Sequence, residues 1–204
     1  VLEGQKWERV DFVYETRFAA PALRKGERLE LAFDGVDTVA TVALNGKPVG
    51  FLENMFIPHV LDVTRAVKRK SRNRLTVTIH NVIDYAAGRA RQWGAGALEM
   101  GLFWDKAPIY VRKAQHMFGW DIAPRLLFGG IWRRASLRVR KVEEVLPEEF
   151  YLATRSFDAA TKRAGLEIAW GCALDPAVDP RRYAIEIRGR CGANAFSLRR
   201  ELLS

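Results

Sequence analysis

The chain has 204 residues, 49% of them hydrophobic and 28% charged, and this composition excludes an intrinsically disordered protein. No apolar run approaches the roughly 18 residues that a membrane-spanning helix needs, so we expect no membrane partner. Lys and Arg total 33 against 24 Asp and Glu, and the resulting net charge of +9 raises the question of nucleic-acid binding.

Alternating apolar and polar residues predict half-buried β-strands through the first half of the chain. The alternation is clearest at Phe12–Phe18, Leu29–Phe33 and Leu75–His80. Thr38–Leu44 and Lys47–Leu52 lie on either side of Asn45-Gly46, a residue pair that favours the two positive φ angles of a type I′ turn. The sequence therefore predicts a β-hairpin centred on Asn45-Gly46.

Two segments rich in Gly and Asp are interpreted as structural. The stretch Asp34–Thr38 is predicted to form a tight turn in which Asp side chains accept hydrogen bonds from neighbouring backbone N–H groups. Gly129-Gly130 is predicted to supply a bend or a close approach of two backbones.

Helical periodicity is weak throughout. Asp62–Lys70 is predicted as a short capped helix or turn, and a long irregular loop is expected between residues 84 and 106. Strand character returns at Ile109–Gln115 and at Ile131–Val142. Short strands at roughly ten-residue spacing predict an antiparallel β-sandwich of jelly-roll type over residues 1–142.

The last third of the chain is predicted to be a second, incomplete sandwich. Glu143–Glu149 is acidic, contains one Pro and does not alternate, so it is interpreted as a linker. Four further strands are predicted, at Phe150–Ser156, Leu166–Cys172, Tyr183–Arg188 and Ala195–Leu202. Immunoglobulin-like domains need about 100 residues, so residues 143–204 are predicted to be a truncated domain of that kind and the whole chain to be all-β.

No catalytic residue set is recognisable. G-x-S-x-G, P-loop, G-x-G-x-x-G and H-E-x-x-H motifs do not occur, and the pairs Glu143-Glu144 and Glu148-Glu149 fall in the predicted linker. Cys172 and Cys191 form no C-x-x-C pair; buried free thiols are expected, with a disulfide as the alternative. Three histidines lie far apart in the sequence: His59, His80 and His116. We therefore predict no catalytic residues, no metal ligands and no cofactor.

The basic residues have a simpler explanation than nucleic-acid binding. Arginines are spread along the whole chain, and the two clusters are Lys68–Arg74 and Arg133–Lys141. The second alternates, with Leu137 and Val139 between arginines, as a strand with one solvated face does. No nucleic-acid partner is predicted; a basic DNA-binding sandwich, with tight and salt-sensitive binding, is kept as an alternative.

Several short strings occur in a recognisable order. They are F-D-G-V-D-T at 33–38, L-N-G at 44–46, N-M-F at 54–56, D-V-T at 62–64, R-K-A-Q at 112–115, F-G-W-D at 118–121 and G-I-W-R at 130–133. In this order they closely resemble the N-terminal sugar-binding jelly roll of glycoside hydrolase family 2, and specifically its β-mannosidase branch. The resemblance covers roughly Gln5 to Val142 and implies a galactose-binding-like β-sandwich.

The resemblance implies a sugar-binding site at Trp120 and Asp121. These residues match a Trp-Asp pair that, in the family, reaches from the jelly roll into the pocket of the catalytic barrel. A carboxylate accepts hydrogen bonds from neighbouring hydroxyls, and an indole stacks on the C–H face of a pyranose. Arg125 is added as a substrate-binding residue; Arg125 and Arg112 are expected either to orient Asp121 by ion pairing or to lie at the surface. The alternative is that Trp120 is a core residue and Asp121 caps a turn.

The chain departs from the family at two points. Ile122-Ala123 stands where the family has Trp-Gly, which puts the sugar preference in question. The family's catalytic glutamates belong to a (β/α)₈ barrel, where the acid/base follows an Asn, and no Asn-Glu dipeptide occurs here. The implied function is a non-catalytic N-terminal region of a β-mannosidase-like hydrolase, with a β-mannoside-type carbohydrate and the missing barrel of the same polypeptide as partners.

Two alternatives within carbohydrate chemistry are kept. One is the same region of a β-galactosidase- or β-glucuronidase-like enzyme, and the other is a free-standing carbohydrate-binding module. The first residues, Val1–Glu8, carry three charges and no apolar core, so no signal peptide is visible and the cytoplasm is favoured. The chain has no initial Met, so this location depends on where the natural N-terminus lies.

Overall fold

A computed structural model of the chain describes residues 2–93, 107–119 and 121–202. The chain divides into two compact units, Val1–Arg140 and Lys141–Ser204, which are described separately. Strands dominate both units, which confirms the predicted all-β fold class. No helix in the described ranges is both long and apolar enough to cross a membrane.

The first unit is built from antiparallel sheets with short helical turns. Its elements, in chain order, are α1 (Leu2–Gln5), β1 (Phe12–Ala19), β2 (Glu27–Phe33), β3 (Val36–Asp37), β4 (Val39–Leu44), β5 (Lys47–Leu52), β6 (His59–Asp62), β7 (Arg72–His80), α2 (Val82–Trp93), two 3₁₀ turns (Ala107–Tyr110 and Gln115–Phe118), β8 (Gly130–Ile131) and β9 (Ala135–Lys141). One sheet has the order β1-β7-β4-β5 and a second has the order β6-β2-β9, while β3 pairs with β8.

The hydrophobic core of this unit contains side chains from both larger sheets. Leu29, Leu31 and Phe33 of β2 join Val77 and Ile79 of β7 in one buried cluster. The predicted alternation is confirmed in β7, where alternate residues are buried. Strand β2 is covered on both faces, because Glu30 is also buried and pairs with Arg28 at 2.8 Å and Arg140 at 3.4 Å.

The predicted hairpin at Asn45-Gly46 is confirmed. Strands β4 and β5 are paired up to Leu44 and Lys47, and Asn45 and Gly46 have φ angles of 55° and 82°. The Asn45 side chain also donates a hydrogen bond to Asn73 Oδ1 at 2.9 Å. The turn residue therefore fixes both the reversal of the chain and its contact with β7.

The irregular loop expected from residue 84 is wrong for its first part, because Val82–Trp93 forms α2. Asn81 Oδ1 accepts a hydrogen bond from the Asp84 N–H at 2.9 Å and caps the helix. Only Val82, Ile83 and Ala86 of α2 are buried, so its apolar face is too short to show as a helical period. The remainder of the expected loop, residues 94–106, lies outside the described residues.

The strand predicted at Ile109–Gln115 is also wrong. This stretch joins the two 3₁₀ turns, and in the part of the chain that the structure describes its one β-bridge is between Asn54 and Arg112. Val111 and Lys113 are nevertheless buried, at 8% and 1% exposure. The alternation that suggested a strand therefore reflects burial at every second residue without a ladder of backbone hydrogen bonds.

The second unit consists of two hairpins and a 3₁₀ turn. Strand β10 (Leu146–Asp158) pairs with β11 (Arg163–Ala173), and β12 (Ala184–Cys191) pairs with β13 (Asn194–Glu201). The linker predicted at Glu143–Glu149 is partly wrong, since β10 begins at Leu146.

Few side chains of the second unit are shielded from solvent. Among residues 141–202 whose burial is described, none is buried, and Phe150 and Phe157 are 63% and 69% exposed. Cys172 and Cys191 are free thiols, the first half-buried and the second exposed, so the expected burial is wrong for Cys191.

Candidate functional site

Asp121 and Arg125, two of the predicted sugar-binding residues, lie on the long segment of residues 114–129, which we call the 114–129 loop. Its first arm is the 3₁₀ turn Gln115–Phe118, after which Gly119 adopts a φ of 90°. Across the loop, the Leu126 N–H donates to the Met117 carbonyl at 3.0 Å. Phe118 and Leu127, one on each arm, are buried in a cluster with residues of β4 and α2. Both arms are therefore packed into the first unit.

The tip of the loop is exposed to solvent. Asp121 is exposed and Ile122 is 90% exposed, so the family's Trp position is occupied here by an apolar side chain in water. Trp120, the other predicted sugar contact, lies outside the described residues. A carboxylate at this position is available to a ligand, because it is not enclosed by the core.

Arg125 is held by an ion pair with Glu8. Its Nη2 lies 2.7 Å and its Nε 3.0 Å from Glu8 Oε2, and the Glu8 side chain is 3% exposed. The Gln5 side-chain amide donates to the Arg125 carbonyl at 3.1 Å. The N-terminal segment thus fastens the second arm of the loop. A direct contact of Arg125 with sugar stays a prediction.

The base of the loop contains a second ion pair, between Lys113 and Asp37. Lys113 Nζ donates to Asp37 Oδ1 at 2.7 Å, to Asp37 Oδ2 at 2.6 Å and to the Phe128 carbonyl at 2.5 Å. Burial lowers the pKa of Lys113, while the charge and hydrogen bonds of Asp37 act in the opposite direction. The turn role predicted for Asp37 is therefore wrong: its carboxylate is buried and neutralises an ammonium.

Gly129 shows why the sequence needs glycine beside this ion pair. A Cβ atom at Gly129 would lie 2.9 Å from the Asp37 carbonyl oxygen and 3.0 Å from Ile79 Cγ2. The distance to the backbone oxygen is shorter than real Cβ contacts and the distance to Ile79 is tight, so the predicted close approach at Gly129-Gly130 is confirmed. The loop consequently returns to the sheet in van der Waals contact with Asp37.

A polar cluster that the sequence did not reveal lies where α2 meets the end of β5. Tyr85 OH donates to Glu53 Oε2 at 2.7 Å, and Arg89 Nη2 donates to the same oxygen at 2.5 Å. The Tyr85 hydrogen bond is the main reason that the pKa of Glu53 lies below its ordinary value. Phe51, 53% exposed, has its ring centroid 6.1 Å from that of Tyr85. Because helix α2 was not predicted from the sequence, this cluster, which includes Tyr85 and Arg89 of α2, was not predicted either.

His80 and His59 have hydrogen-bond partners within the first unit. His80 lies 2.9 Å from Asp11 Oδ2 and 2.8 Å from Thr41 Oγ1, and His59 lies 2.8 Å from the Asn54 carbonyl. Within residues 2–93, 107–119 and 121–202, no group of three His, Cys, Asp or Glu side chains could hold a metal ion.

Comparison with known proteins identifies the family. Residues 2–133 match the family described as glycosyl hydrolase 2 galactose-binding domain-like. The chain belongs to this family. The matched residues include the whole 114–129 loop, and the resemblance in the order of the motifs is confirmed.

Curated relatives of this glycosyl hydrolase 2 chain include fungal enzymes. It is 33% identical over 178 residues to "Beta-mannosidase B" of Thermothelomyces thermophilus, covering 80% of this chain and 20% of the relative. It is 40% identical over 141 residues to "Beta-mannosidase B" of Aspergillus terreus, covering 68% and 16%. The chain thus spans a fifth or less of the length of these two relatives.

Solved structures share the fold. The β-D-mannosidase of Dictyoglomus thermophilum matches with a TM-score of 0.73 and 25% identity, over 98% of this chain and 24% of that one. A β-glucuronidase of Bifidobacterium dentium matches with a TM-score of 0.54 and 22% identity, over 93% and 31%. The second likeness concerns the fold alone.

Proposed function

We propose that this chain supplies sugar-hydroxyl contacts to the active site of a β-mannosidase-like glycoside hydrolase whose catalytic barrel belongs to the same polypeptide. The observation that carries the proposal is the exposed Asp121 at the tip of a loop whose two arms are anchored by the buried side chains of Phe118 and Leu127. A loop that is held on both arms can present a carboxylate to a neighbouring pocket with a smaller loss of conformational entropy than a free loop. Asp121 would accept hydrogen bonds from vicinal hydroxyls of the terminal sugar.

Trp120 and Arg125 have different proposed parts in this site. Trp120 would stack on the C–H face of the sugar, next to the carboxylate that binds its hydroxyls. Arg125 already uses Nε and Nη2 on Glu8, so its main part would be to hold the second arm of the loop. The β-mannosidase relatives, 33% and 40% identical, support a mannoside over a glucuronide as the sugar.

The isolated 204-residue chain is expected to show no turnover of an aryl β-mannoside. It carries no recognisable acid/base and nucleophile pair, and half of the proposed pocket would belong to the barrel. Release of the aryl group, followed by absorbance, and calorimetric titration with mannose and manno-oligosaccharides check this together. Turnover would contradict the proposal, and micromolar sugar affinity without turnover would favour a free-standing carbohydrate-binding module.

Asp121→Asn in the full-length enzyme is expected to lower kcat/KM for an aryl β-mannoside by about 10- to 100-fold. Asn keeps the size of the side chain but removes the charge, and hydrogen bonds to charged groups contribute about 1.5–3 kcal/mol. Steady-state kinetics on a panel of β-mannoside, β-galactoside and β-glucuronide substrates provide the measurement. The panel also decides between the mannosidase and its sister activities.

A matched control for this variant is Asp62→Asn. Asp62 is likewise an exposed Asp of the first unit, where its carboxylate accepts a hydrogen bond from the Thr64 N–H at 2.9 Å. An Asn oxygen can accept the same bond, so kinetics should be unchanged. Equal kinetics for the two variants and the wild-type enzyme would remove Asp121 from the active site.

A further inference from the structure

We propose that Lys113 is a positioning residue, whose ammonium closes the base of the 114–129 loop and thereby fixes where Asp121 is presented. The consequence for catalysis rests on the function proposed for Asp121, whereas the closure of the loop can be tested without it.

The position of Lys113 in the chain is the first reason. It directly precedes Ala114, where the loop begins, and its Nζ reaches the carbonyl of Phe128 at 2.5 Å, where the loop returns. The side chain of Lys113 therefore connects the two ends of the 114–129 loop. The cross-loop hydrogen bond from Leu126 to Met117 lies inside this closure.

The second reason is that all three ammonium protons have acceptors on fixed groups. An ammonium has three N–H donors, and here two face the Asp37 carboxylate and one faces Phe128. Asp37 lies in β3 and pairs with Gly130 of β8. Through Asp37, Lys113 therefore connects the base of the loop to the paired strands β3 and β8.

The third reason is the burial of the ion pair. The side chains of Lys113 and Asp37 are 1% and 9% exposed. In such surroundings salt screens the attraction little, and water cannot easily replace the bond to the Phe128 carbonyl. Exposed ion pairs of this unit, such as Arg138–Asp34 with about a third of each side chain accessible, lack this property.

Amide hydrogen exchange on the 204-residue chain tests the closure directly. Lys113→Met alone leaves a buried unpaired carboxylate and endangers folding, so the neutral pair Asp37→Asn with Lys113→Met is the main variant. We expect exchange of the Gly119 and Leu126 amides to rise at least about tenfold, because the loop opens locally without global unfolding. Amides of the β4–β7 ladder should keep wild-type rates.

The matched control is Asp34→Asn, which removes the exposed ion pair to Arg138 in the same unit. It should leave the exchange of the loop amides unchanged. Unchanged loop exchange in the neutral pair would overturn the inference, as would a rise of equal size in the β4–β7 ladder.

A double-mutant cycle in the full-length enzyme tests the consequence for catalysis. The neutral pair should lower kcat/KM for an aryl β-mannoside about tenfold when residue 121 is Asp, and should cause no further loss in the Asp121→Asn background. Equal losses in both backgrounds would show that Lys113 does not act through Asp121. If Asp121→Asn itself has no effect, the proposed function fails, while the exchange result for the loop stands by itself.

Discussion

Lys113→Met is expected to lower the free energy of unfolding of the first unit by about 3–5 kcal/mol. The substitution keeps an unbranched side chain of similar length but leaves the Asp37 carboxylate buried without its partner, and also leaves the Phe128 carbonyl without its donor. The loss is mostly the cost of an uncompensated buried charge, not the strength of the ion pair itself. Urea unfolding followed by tryptophan fluorescence, with slopes compared between variants, gives the free energies.

The partner substitution separates these two contributions. Adding Asp37→Asn to Lys113→Met removes the unpaired charge, so we expect most of the lost stability to return. Asp34→Asn, at the exposed pair with Arg138, should change stability by less than about 1 kcal/mol. A Lys113→Met protein as stable as wild type would mean that the ion pair is open in solution.

Local patterns were enough to predict much of the first unit. Alternation located β1, β2 and β7, and Asn45-Gly46 located the hairpin, because both features are set by neighbouring residues. The motif order likewise pointed to the loop that carries Asp121. For the strands and the hairpin the information lies within a few consecutive positions, whereas the motif order extends over residues 33–133.

The interactions that hold the loop could not be predicted in this way. Lys113 and Asp37 are 76 positions apart, and Arg125 and Glu8 are 117 apart. A lone Glu near the N-terminus, or a Lys beside other basic residues, gives no periodic signal that names its partner. Such ion pairs can be recognised only in the folded structure, where the intervening strands place the two residues next to each other.

Two features of the first unit that depend on burial could not be predicted from local sequence: the buried Glu30 and the helix α2. Alternation in β2 left open whether the face with Glu30 meets solvent or a second layer, and it gave no sign that Arg28 and Arg140 neutralise Glu30 inside the fold. In α2, only three residues are buried, so the helix left too weak a pattern to detect. In both cases tertiary contacts decide what the local sequence leaves open.

The fragments 1–142 and 143–204 are expected to behave oppositely when expressed separately. The buried hydrophobic residues of the described chain all lie in the first unit, including Leu29 and Phe33 at 0% exposure. The second unit offers two hairpins with exposed aromatic side chains, and an isolated two-stranded hairpin is marginally stable in water. We therefore expect a cooperative thermal transition for 1–142 and none for 143–204, which should instead bind the dye ANS.

Two point variants make the same comparison inside the 204-residue chain. Leu29→Ala removes a fully buried side chain and should cost about 2–5 kcal/mol, because it leaves a cavity in the core. Phe157→Ala removes a larger side chain that is 69% exposed, and should stay within about 0.5 kcal/mol of wild type. If Phe157→Ala were as costly as Leu29→Ala, or if 143–204 melted cooperatively, the second unit would contain a core of its own. The prediction of a truncated immunoglobulin-like domain would then be wrong, because such a fragment lacks the opposing sheet that would cover its apolar side chains.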